Sequence, residues 1–284
     1  MSDKPESEPV LLSEDADGIR TLTLNRPQRK NAINDELWAA LREAFLAAGK
    51  DQSVRALVLT GAGGAFCSGA DISEGQIRSG HPMYLMRTLN EVCLLLHELP
   101  IPTVAKVTGV AVGAGWNLAL GCDLVVATPE SRFSQIFARR GLSLDFGGSW
   151  LLPKLVGLQQ AKRLALLAEM IDAEEARSLS LVTWVVPEAE IDAFVTDLGA
   201  RLTAGPPIAN AQNKALLNEG ADRTLRDALA NEARAQAVNF ATADVPEAFA
   251  AFTAKRTPEF TGRWAANGTN PPAPGRPDHG DTDA

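Results

Sequence analysis

Short apolar segments alternate with helical segments over the first half of the chain, and this alternation most constrains its fold. Residues 54–59, 103–107 and 123–127 are mostly apolar, as expected of strands buried on both faces. Residues 34–50 and 83–99 precede the first two of these strands and repeat apolar side chains at helical spacing. Strand–helix–strand alternation of this kind predicts an α/β fold with a parallel sheet covered by helices.

Turn and capping residues set several boundaries. Asp17-Gly18 separates strand signals at 10–12 and 21–24, which predicts a β-hairpin. Asn34 can cap the first helix. The chain after Gly157 is mostly helical, with one short strand at 181–186 and helices at 159–170, 173–179, 188–203, 206–218, 224–240 and 245–254.

Polar segments at both ends set the limits of the folded region. Residues 1–8 are mostly polar, and residues 263–284 are rich in Pro, Gly, Asn and Asp, so both are predicted to be disordered. Between them we expect a core at 9–204 and a C-terminal helical region at 205–262.

Charge and composition exclude several functions. Lys and Arg total 27 against 35 Asp and Glu, and this net charge of −8 disfavours nucleic acid and anionic membranes as partners. No apolar run approaches the ~18 residues of a membrane-spanning helix, and the start lacks a signal peptide's apolar stretch. Cys67, Cys93 and Cys122 show neither metal-ligand spacing nor an even disulfide framework. We therefore expect a cytoplasmic protein without a metal site.

Two glycine-bearing turns carry the functional signal. Residues 61–72 and 109–117 each follow a predicted strand. Glycine lets backbone N–H groups face a ligand, so two such turns at one sheet edge could direct two N–H groups at one oxygen, as in an oxyanion hole. Close packing alone also explains glycines in such turns. Neither turn has a phosphate-loop or dinucleotide fingerprint, which disfavours nucleoside triphosphate and NAD chemistry.

Five segments, in order, carry a resemblance to a known family. They are Leu24-Asn-Arg-Pro-Gln-Arg-Lys-Asn-Ala32, Phe66-Cys-Ser-Gly-Ala-Asp-Ile72, Val107-Thr-Gly-Val-Ala-Val-Gly-Ala-Gly115, Gly148-Ser-Trp-Leu-Leu-Pro-Lys-Leu-Val-Gly157 and Phe252-Thr-Ala-Lys-Arg-Thr-Pro258. Together they resemble the enoyl-CoA hydratase/isomerase (crotonase) superfamily over residues 10–262. The resemblance implies a spiral of ββα units and C-terminal helices that assemble a trimer or a dimer of trimers. It also implies an acyl-CoA thioester as substrate, with no separate cofactor because coenzyme A is part of that substrate.

The resemblance assigns most of the site residues. The two amides that stabilise an enolate oxygen map to Ala70 and to Ala114, which follows the pocket residue Gly113. Contacts to coenzyme A map to Arg29, Lys30, Ser68, Asp71 and Ile72, with Phe252 and Lys255 reaching a neighbouring subunit's nucleotide. A solvated loop charge is an equal alternative for Arg29 and Lys30, and Asp71 could instead cap a following helix.

Two family positions differ in this chain. The glutamates that activate water in hydratases map to Asn117 and Phe137, which cannot exchange a proton at neutral pH. We therefore assign Asn117 and Phe137 to the substrate pocket rather than to proton transfer. The pair of carboxylates needed for concerted addition of water is missing.

Asp145 is the carboxylate that remains at a position the family uses. Some isomerases and related members of the superfamily place an acid/base aspartate there, and thioester dehalogenases use that position as a nucleophile. Its neighbours Leu144 and Phe146 are apolar, which should raise its pKa and suit it to proton transfer. Capping of a helix that begins near Gly147 is the structural alternative.

Isomerisation of an enoyl-CoA, with Asp145 as the proton shuttle, is therefore favoured over hydration. Hydration remains open if another group positions water, as does a catalytically inactive homologue that binds acyl-CoA. A nucleophilic Asp145 is also open, although no histidine nearby in the sequence is evident to activate water.

Overall fold

The structure, a computed structural model, describes residues 8–71 and 81–265. It contains two compact units, Met1–Thr203 and Ala204–Ala284. The predicted site residue Ile72 and the predicted disorder of 1–7 and 266–284 lie outside the described residues. Residues 263–265, which the sequence assigns to the disordered tail, are described, and Trp264 forms an isolated β-bridge with Thr242.

The described strands form two sheets. They are β1 (Leu11–Ala16), β2 (Ile19–Leu24), β3 (Ala56–Gly61), β4 (Thr103–Val107), β5 (Val110–Val112), β6 (Leu124–Ala127), β7 (Arg132–Ser134), β8 (Ile171–Asp172) and β9 (Trp184–Val185). The larger sheet has the order β1-β2-β3-β4-β6-β9, with β1 antiparallel to β2 and its other neighbours parallel. The smaller sheet has the order β5-β7-β8, in which β5 is parallel and β8 antiparallel to β7.

Helices follow most of the strands of the first unit and make up most of the second. They are α1 (Asp35–Lys50), α2 (Pro82–His97), α3 (Ala114–Leu120), α4 (Gly148–Leu167), α5 (Ala173–Ser178), α6 (Ile191–Ala204), α7 (Pro207–Gly220), α8 (Leu225–Phe240) and α9 (Asp244–Ala254). Short 3-10 helices occupy Pro27–Arg29 and Ile136–Arg140.

The main sequence predictions are confirmed. The hairpin β1–β2 turns at Asp17 and Gly18, both with positive φ. The side chain of Asn34 accepts a hydrogen bond from the backbone N–H of Leu37 and so caps α1.

The structure adds detail that the sequence predictions lacked at one helix and at three short strands. The helix expected at 159–170 is the second part of α4, which ends at Leu167; Gly157, with a φ of 74° and a ψ of 161°, separates it from a first part that begins at Gly148. The sequence also gave no sign of β5, β7 and β8, since strands of two or three residues are too short to show a period.

The central strand β3 of the larger sheet is buried on both faces, which explains its continuous apolar sequence. In β3, Leu57 and Leu59 belong to the main core cluster, whereas Val58 belongs to a second cluster with Val104. Successive side chains of a strand point to opposite faces, so an apolar residue is required at every position.

Close packing of α3 requires a glycine at residue 115. A Cβ atom added there would lie 2.6 Å from both the carbonyl oxygen and the Sγ of Cys67. We expect Gly115→Ala to lower the free energy of unfolding by about 1–3 kcal/mol, because a packed backbone must shift. Gly220→Ala is the matched control, since a Cβ meets nothing within 4 Å there. Equal denaturation midpoints for the two variants would contradict this account.

Candidate active site

The loop after β3 is held against the segment that precedes α1. The backbone N–H of Ile33 donates to the carbonyl of Gly69 at 2.8 Å, and the N–H of Asp71 donates to the carbonyl of Ile33 at 2.9 Å. The fully buried side chain of Asn31 adds a hydrogen bond from Nδ2 to the carbonyl of Ala65 at 2.7 Å. Ala70 lies between Gly69 and Asp71, which both bond to Ile33, but its own N–H has no hydrogen-bond acceptor within the described chain.

The loop after β4 pairs with this first loop. Cys67 N–H donates to the carbonyl of Val110, and Val112 N–H donates to the carbonyl of Cys67, both at 3.0 Å. Gly69 has a φ of 91°, and a Cβ atom there would lie 2.9 Å from the oxygen of Val112 and 3.8 Å from the nitrogen of Ala114. Glycine is required at this crossing, because any side chain would separate the two loops.

The two predicted amide donors therefore lie in adjoining loops. The N–H of Ala114, the first residue of α3, has no hydrogen-bond acceptor among the residues described, as is also true of Ala70. Both alanines border one cavity of about 420 Å³. Two free N–H groups at the wall of a cavity can donate to a ligand oxygen, which is the arrangement of an oxyanion hole.

The cavity has an apolar wall and several charged groups. Its apolar wall includes Ile136, Phe137, Leu142 and Met170. Its charged side chains, within the described chain, are those of Arg29, Asp71, Arg140 and Asp145. An apolar ligand segment and an anionic one could thus be bound in the same cavity.

Asp145 is the cavity carboxylate available for proton transfer. Its Oδ1 is buried and has no hydrogen-bond partner among the described residues. Burial raises the pKa of Asp145 from its ordinary value of 3.8 to about 6. A carboxyl group with such a pKa can both remove and return a proton near neutral pH.

Phe146, the residue after Asp145, holds this turn against the core. Phe146 has a φ of 44°, which is unfavourable for a side chain of this size. Its ring is 1% exposed and stacks on Trp38 with a centroid separation of 5.2 Å. Gly147 precedes α4 without a side-chain cap, so the structure does not show Asp145 capping this helix.

The structure separates the two residues that replace the family's glutamates. Phe137 borders the cavity, as expected. Asn117 does not: its side chain is fully buried and hydrogen-bonds to Gln135 and to the carbonyl of Asp145. The structure therefore places the Asn117 amide in internal hydrogen bonds behind the cavity wall.

The residues expected to contact coenzyme A play different parts. Arg29 and Ser68 border the cavity, and Ser68 Oγ donates to the carbonyl of Arg29 at 3.1 Å. Asp71 also borders it, but its carboxylate accepts from Arg26 at 2.8 Å with only 4% of the side chain exposed. The Asp71 side chain therefore stabilises its own loop. Lys30 does not border the cavity, and its carbonyl accepts from Ser68 N–H at 2.9 Å.

The two remaining predicted contacts lie in the second unit. Phe252, near the end of α9, is 84% exposed, and Lys255 follows the same helix with a φ of 53°. Both side chains are exposed to solvent.

Sequence reasoning missed several residues of the cavity, among them Ile136, Arg140 and Met170. Ile136 and Arg140 come from a 3-10 helix, and Met170 follows α4. Their positions depend on the packing of β7 and α4, and no local pattern marks them. Arg140 could have been found from the sequence by searching for arginines able to pair with an anionic ligand.

Cys93 is a cysteine whose thiol is influenced by the charge of Asp145. Burial and the charge of Asp145 raise its pKa to about 11, so the thiol stays protonated at neutral pH. Across the described ranges there is no group of three His, Cys, Asp or Glu side chains that could hold a metal ion. No helix in the same ranges has the length and apolar character needed to cross a membrane.

Comparisons with known proteins identify the family and the fold of the chain. The enoyl-CoA hydratase/isomerase family matches residues 14–263. The 1,2-epoxyphenylacetyl-CoA isomerase of Escherichia coli (strain K12) is 37% identical, over 89% of this chain and 98% of that protein. The crotonyl-CoA hydratase of Syntrophomonas wolfei is 33% identical, over 88% and 97%. A crystal structure of an enoyl-CoA hydratase from Mycobacterium smegmatis has a TM-score of 0.84 at 36% identity, covering 89% of this chain and 99% of that one. The predicted crotonase fold is thereby confirmed.

The raised pKa of Asp145 predicts a pH-dependent stability difference. Above pH 6 the folded protein carries a buried charge that is better solvated when the chain unfolds, so Asp145→Asn should raise the melting temperature there. This gain should shrink as the pH falls from about 6 and vanish below 3.8, where the carboxyl is neutral in both states.

Asp15→Asn is the matched control for this measurement. A hydrogen bond from Arg20 lowers the pKa of Asp15, so its charge is favoured by folding. Asp15→Asn should therefore lower the melting temperature at neutral pH and lose its effect in acid. A pH-independent effect of Asp145→Asn would contradict the buried-charge account.

Proposed function

The chain belongs to the enoyl-CoA hydratase/isomerase family and is an enzyme, and we propose that it moves the double bond of an enoyl-CoA thioester, with Asp145 as the proton shuttle. One observation carries this proposal: Asp145 presents a carboxyl group of raised pKa to a cavity that also contains two free backbone N–H groups. A relative named as an isomerase, 37% identical, supports it.

The reaction needs one base and one oxyanion site. The carboxylate of Asp145 removes a proton from C2 of a 3-enoyl thioester, and the electrons of that C–H bond move onto the thioester oxygen. The amides of Ala70 and Ala114 donate to this oxygen and stabilise the dienolate. The dienolate then takes the same proton from Asp145 at C4, which leaves the double bond between C2 and C3 and restores the carboxylate.

Hydration is the second candidate, since a relative that is 33% identical is named a crotonyl-CoA hydratase. Concerted addition of water needs a group that deprotonates water and one that protonates carbon. Asp71, the other carboxylate at the described part of the cavity, is paired with Arg26. A single available carboxyl group favours isomerisation, in which one group performs both transfers in turn.

The cavity's charges suit a coenzyme A thioester. Arg29 and Arg140 border it without a hydrogen-bond partner for either side chain in the described chain, although the protein carries a net charge of −8. Guanidinium groups pair strongly with phosphates. We propose that Arg29 contacts the nucleotide of coenzyme A and that the apolar wall, Phe137 included, receives the acyl chain.

Assembly and location follow as further parts of the proposal. Large apolar side chains of the second unit are exposed, including Leu217 at 77%, Phe249 at 67% and Phe252 at 84%. We propose that they are covered in a homotrimer or dimer of trimers, where Phe252 and Lys255 would reach a neighbour's nucleotide. Three free cysteines fit a cytoplasmic enzyme.

Asp145→Asn should slow the reaction strongly. We expect kcat to fall by at least ~10² because the amide cannot accept the proton. This kcat is measured by mass spectrometry on a panel of 2-enoyl-, 3-enoyl- and ring-bearing CoA thioesters in deuterated water. Apart from any deuterium taken up from the solvent, the product of isomerisation has the mass of the substrate. The product of hydration is heavier by one solvent molecule. Full activity of a folded Asp145→Asn variant on every active substrate would remove Asp145 from the mechanism.

The wild-type rate should also depend on pH with the sign that a base requires. Because burial raises the pKa of Asp145 to about 6, kcat/KM should rise as the pH increases through about 6 and then level off. Stopped assays in buffers of constant ionic strength give this profile. An acid limb that persists unchanged in Asp145→Asn would assign the titration to another group.

Arg29→Ala should weaken binding of the nucleotide rather than the chemistry. We expect KM for a CoA thioester to rise about tenfold, as for a lost charge-assisted hydrogen bond, with kcat little changed. The matching N-acetylcysteamine thioester lacks the nucleotide and should show no difference between variant and wild type. An equal rise in KM for both thioesters would contradict a nucleotide contact.

A further inference from the structure

Two buried amide side chains lie behind the turn that carries Asp145. Asn117, in α3, and Gln135, before the 3-10 helix Ile136–Arg140, are both fully buried. Gln135 Nε2 donates to Asn117 Oδ1 at 2.8 Å, and Asn117 Nδ2 donates to the carbonyl oxygen of Asp145 at 2.8 Å. This amide pair, Gln135 and Asn117, connects two elements of the core to the backbone of Asp145.

The bond from Gln135 determines which way the Asn117 amide faces. Because Oδ1 accepts from Gln135, the NH2 group of Asn117 is directed at the Asp145 carbonyl. Gly148 leaves room for it, since a Cβ at that residue would lie 2.5 Å from Asn117 Nδ2. A carboxylate at residue 117 would offer only acceptors and would repel the carbonyl oxygen.

The Asp145 turn depends on such anchors. The carbonyl of Asp145 accepts a second hydrogen bond from Gly148 N–H at 2.9 Å. Phe146 and Gly147 follow with φ angles of 44° and 76°, a conformation that L residues such as Phe rarely adopt. The packing of Phe146 on Trp38 and the hydrogen bond from Asn117 together fix the peptide group that follows Asp145. They thereby fix the direction in which its side chain leaves the backbone.

We propose that Asn117, oriented by Gln135, is a positioning residue that keeps the carboxylate of Asp145 directed into the cavity. This inference rests on the proposed function, in which Asp145 transfers the proton. Asn117 itself touches no substrate, because its side chain is buried behind the turn. Its effect on rate is large because a displacement of about 1 Å at a reacting group can cost ~10² in rate.

Removal of the Asn117 donor should reduce kcat and leave KM nearly unchanged. Asn117→Leu keeps the approximate volume without hydrogen bonding, and we expect kcat to fall by about 10- to 100-fold with KM within about twofold. Gln135→Met should reduce kcat less, by about three- to tenfold, since Asn117 can still donate but is no longer oriented. If Asn117→Leu does not fold, Asn117→Asp keeps the side-chain size and, when ionised, removes the donor.

A double-mutant cycle separates positioning from general damage to the fold. In an Asp145→Asn background, Asn117→Leu should change kcat by less than about twofold, because no carboxylate remains to be positioned. Thr103→Val is the matched control. Thr103, at the end of β4 opposite the site loop, is fully buried and donates from Oγ1 to Asp123, which precedes β6. Loss of this hydrogen bond should lower the melting temperature and leave kcat unchanged.

The outcomes distinguish the two proposals. Wild-type kcat in both Asn117→Leu and Gln135→Met, with Asp145→Asn slow, overturns the positioning role alone. Fully multiplicative effects of Asn117→Leu and Asp145→Asn also overturn it, as does a change confined to KM. Full activity of Asp145→Asn contradicts the proposed function instead, whatever the Asn117 variants show.

Discussion

The backbone pairing of two loops, one after β3 and one after β4, is the interaction on which the site depends. Hydrogen bonds of 3.0 Å join Cys67 to Val110 and Val112, and they bring the amides of Ala70 and Ala114 to one cavity. The pairing uses main-chain groups, so it tolerates changes of side chain except where the loops cross at glycine. It leaves two N–H groups unpaired at the cavity wall, where a substrate oxygen can accept from them.

The carboxyl group of Asp145, unlike the paired loops, has an oxygen without a hydrogen-bond partner among the described residues. Burial without a hydrogen bond to Oδ1 disfavours its charged form and raises the pKa of Asp145 to about 6. Asp71 shows the contrast within the same cavity, since its carboxylate is paired with Arg26. Pairing makes one aspartate structural, and isolation leaves the other suited to proton transfer. The strained turn at Phe146 is tolerated because aromatic packing in the core holds it.

Local sequence signals predicted the parts of this structure that local physics controls. Alternating apolar segments identified the parallel sheet, and Asn34 and Asp17-Gly18 identified a helix cap and a hairpin. Strands of two or three residues were not predicted, because their pairing depends on distant partners rather than on their own period. The break at Gly157 lies where the sequence indicated a change to a mostly helical chain.

The sequence by itself determined the family, the glycines that allow the loops to approach, and the replacement of the two hydratase glutamates, which leaves Asp145 at another position that the family uses. Only the tertiary structure decided which side chains face the cavity. In the structure Asn117 is buried and hydrogen-bonds to the Asp145 carbonyl, although the sequence placed it in the pocket. Arg140 and Met170, which the sequence did not indicate, border the cavity. The physical reason is that residue type limits which chemistry is possible, whereas burial and hydrogen-bond partners are set by elements far apart in the chain.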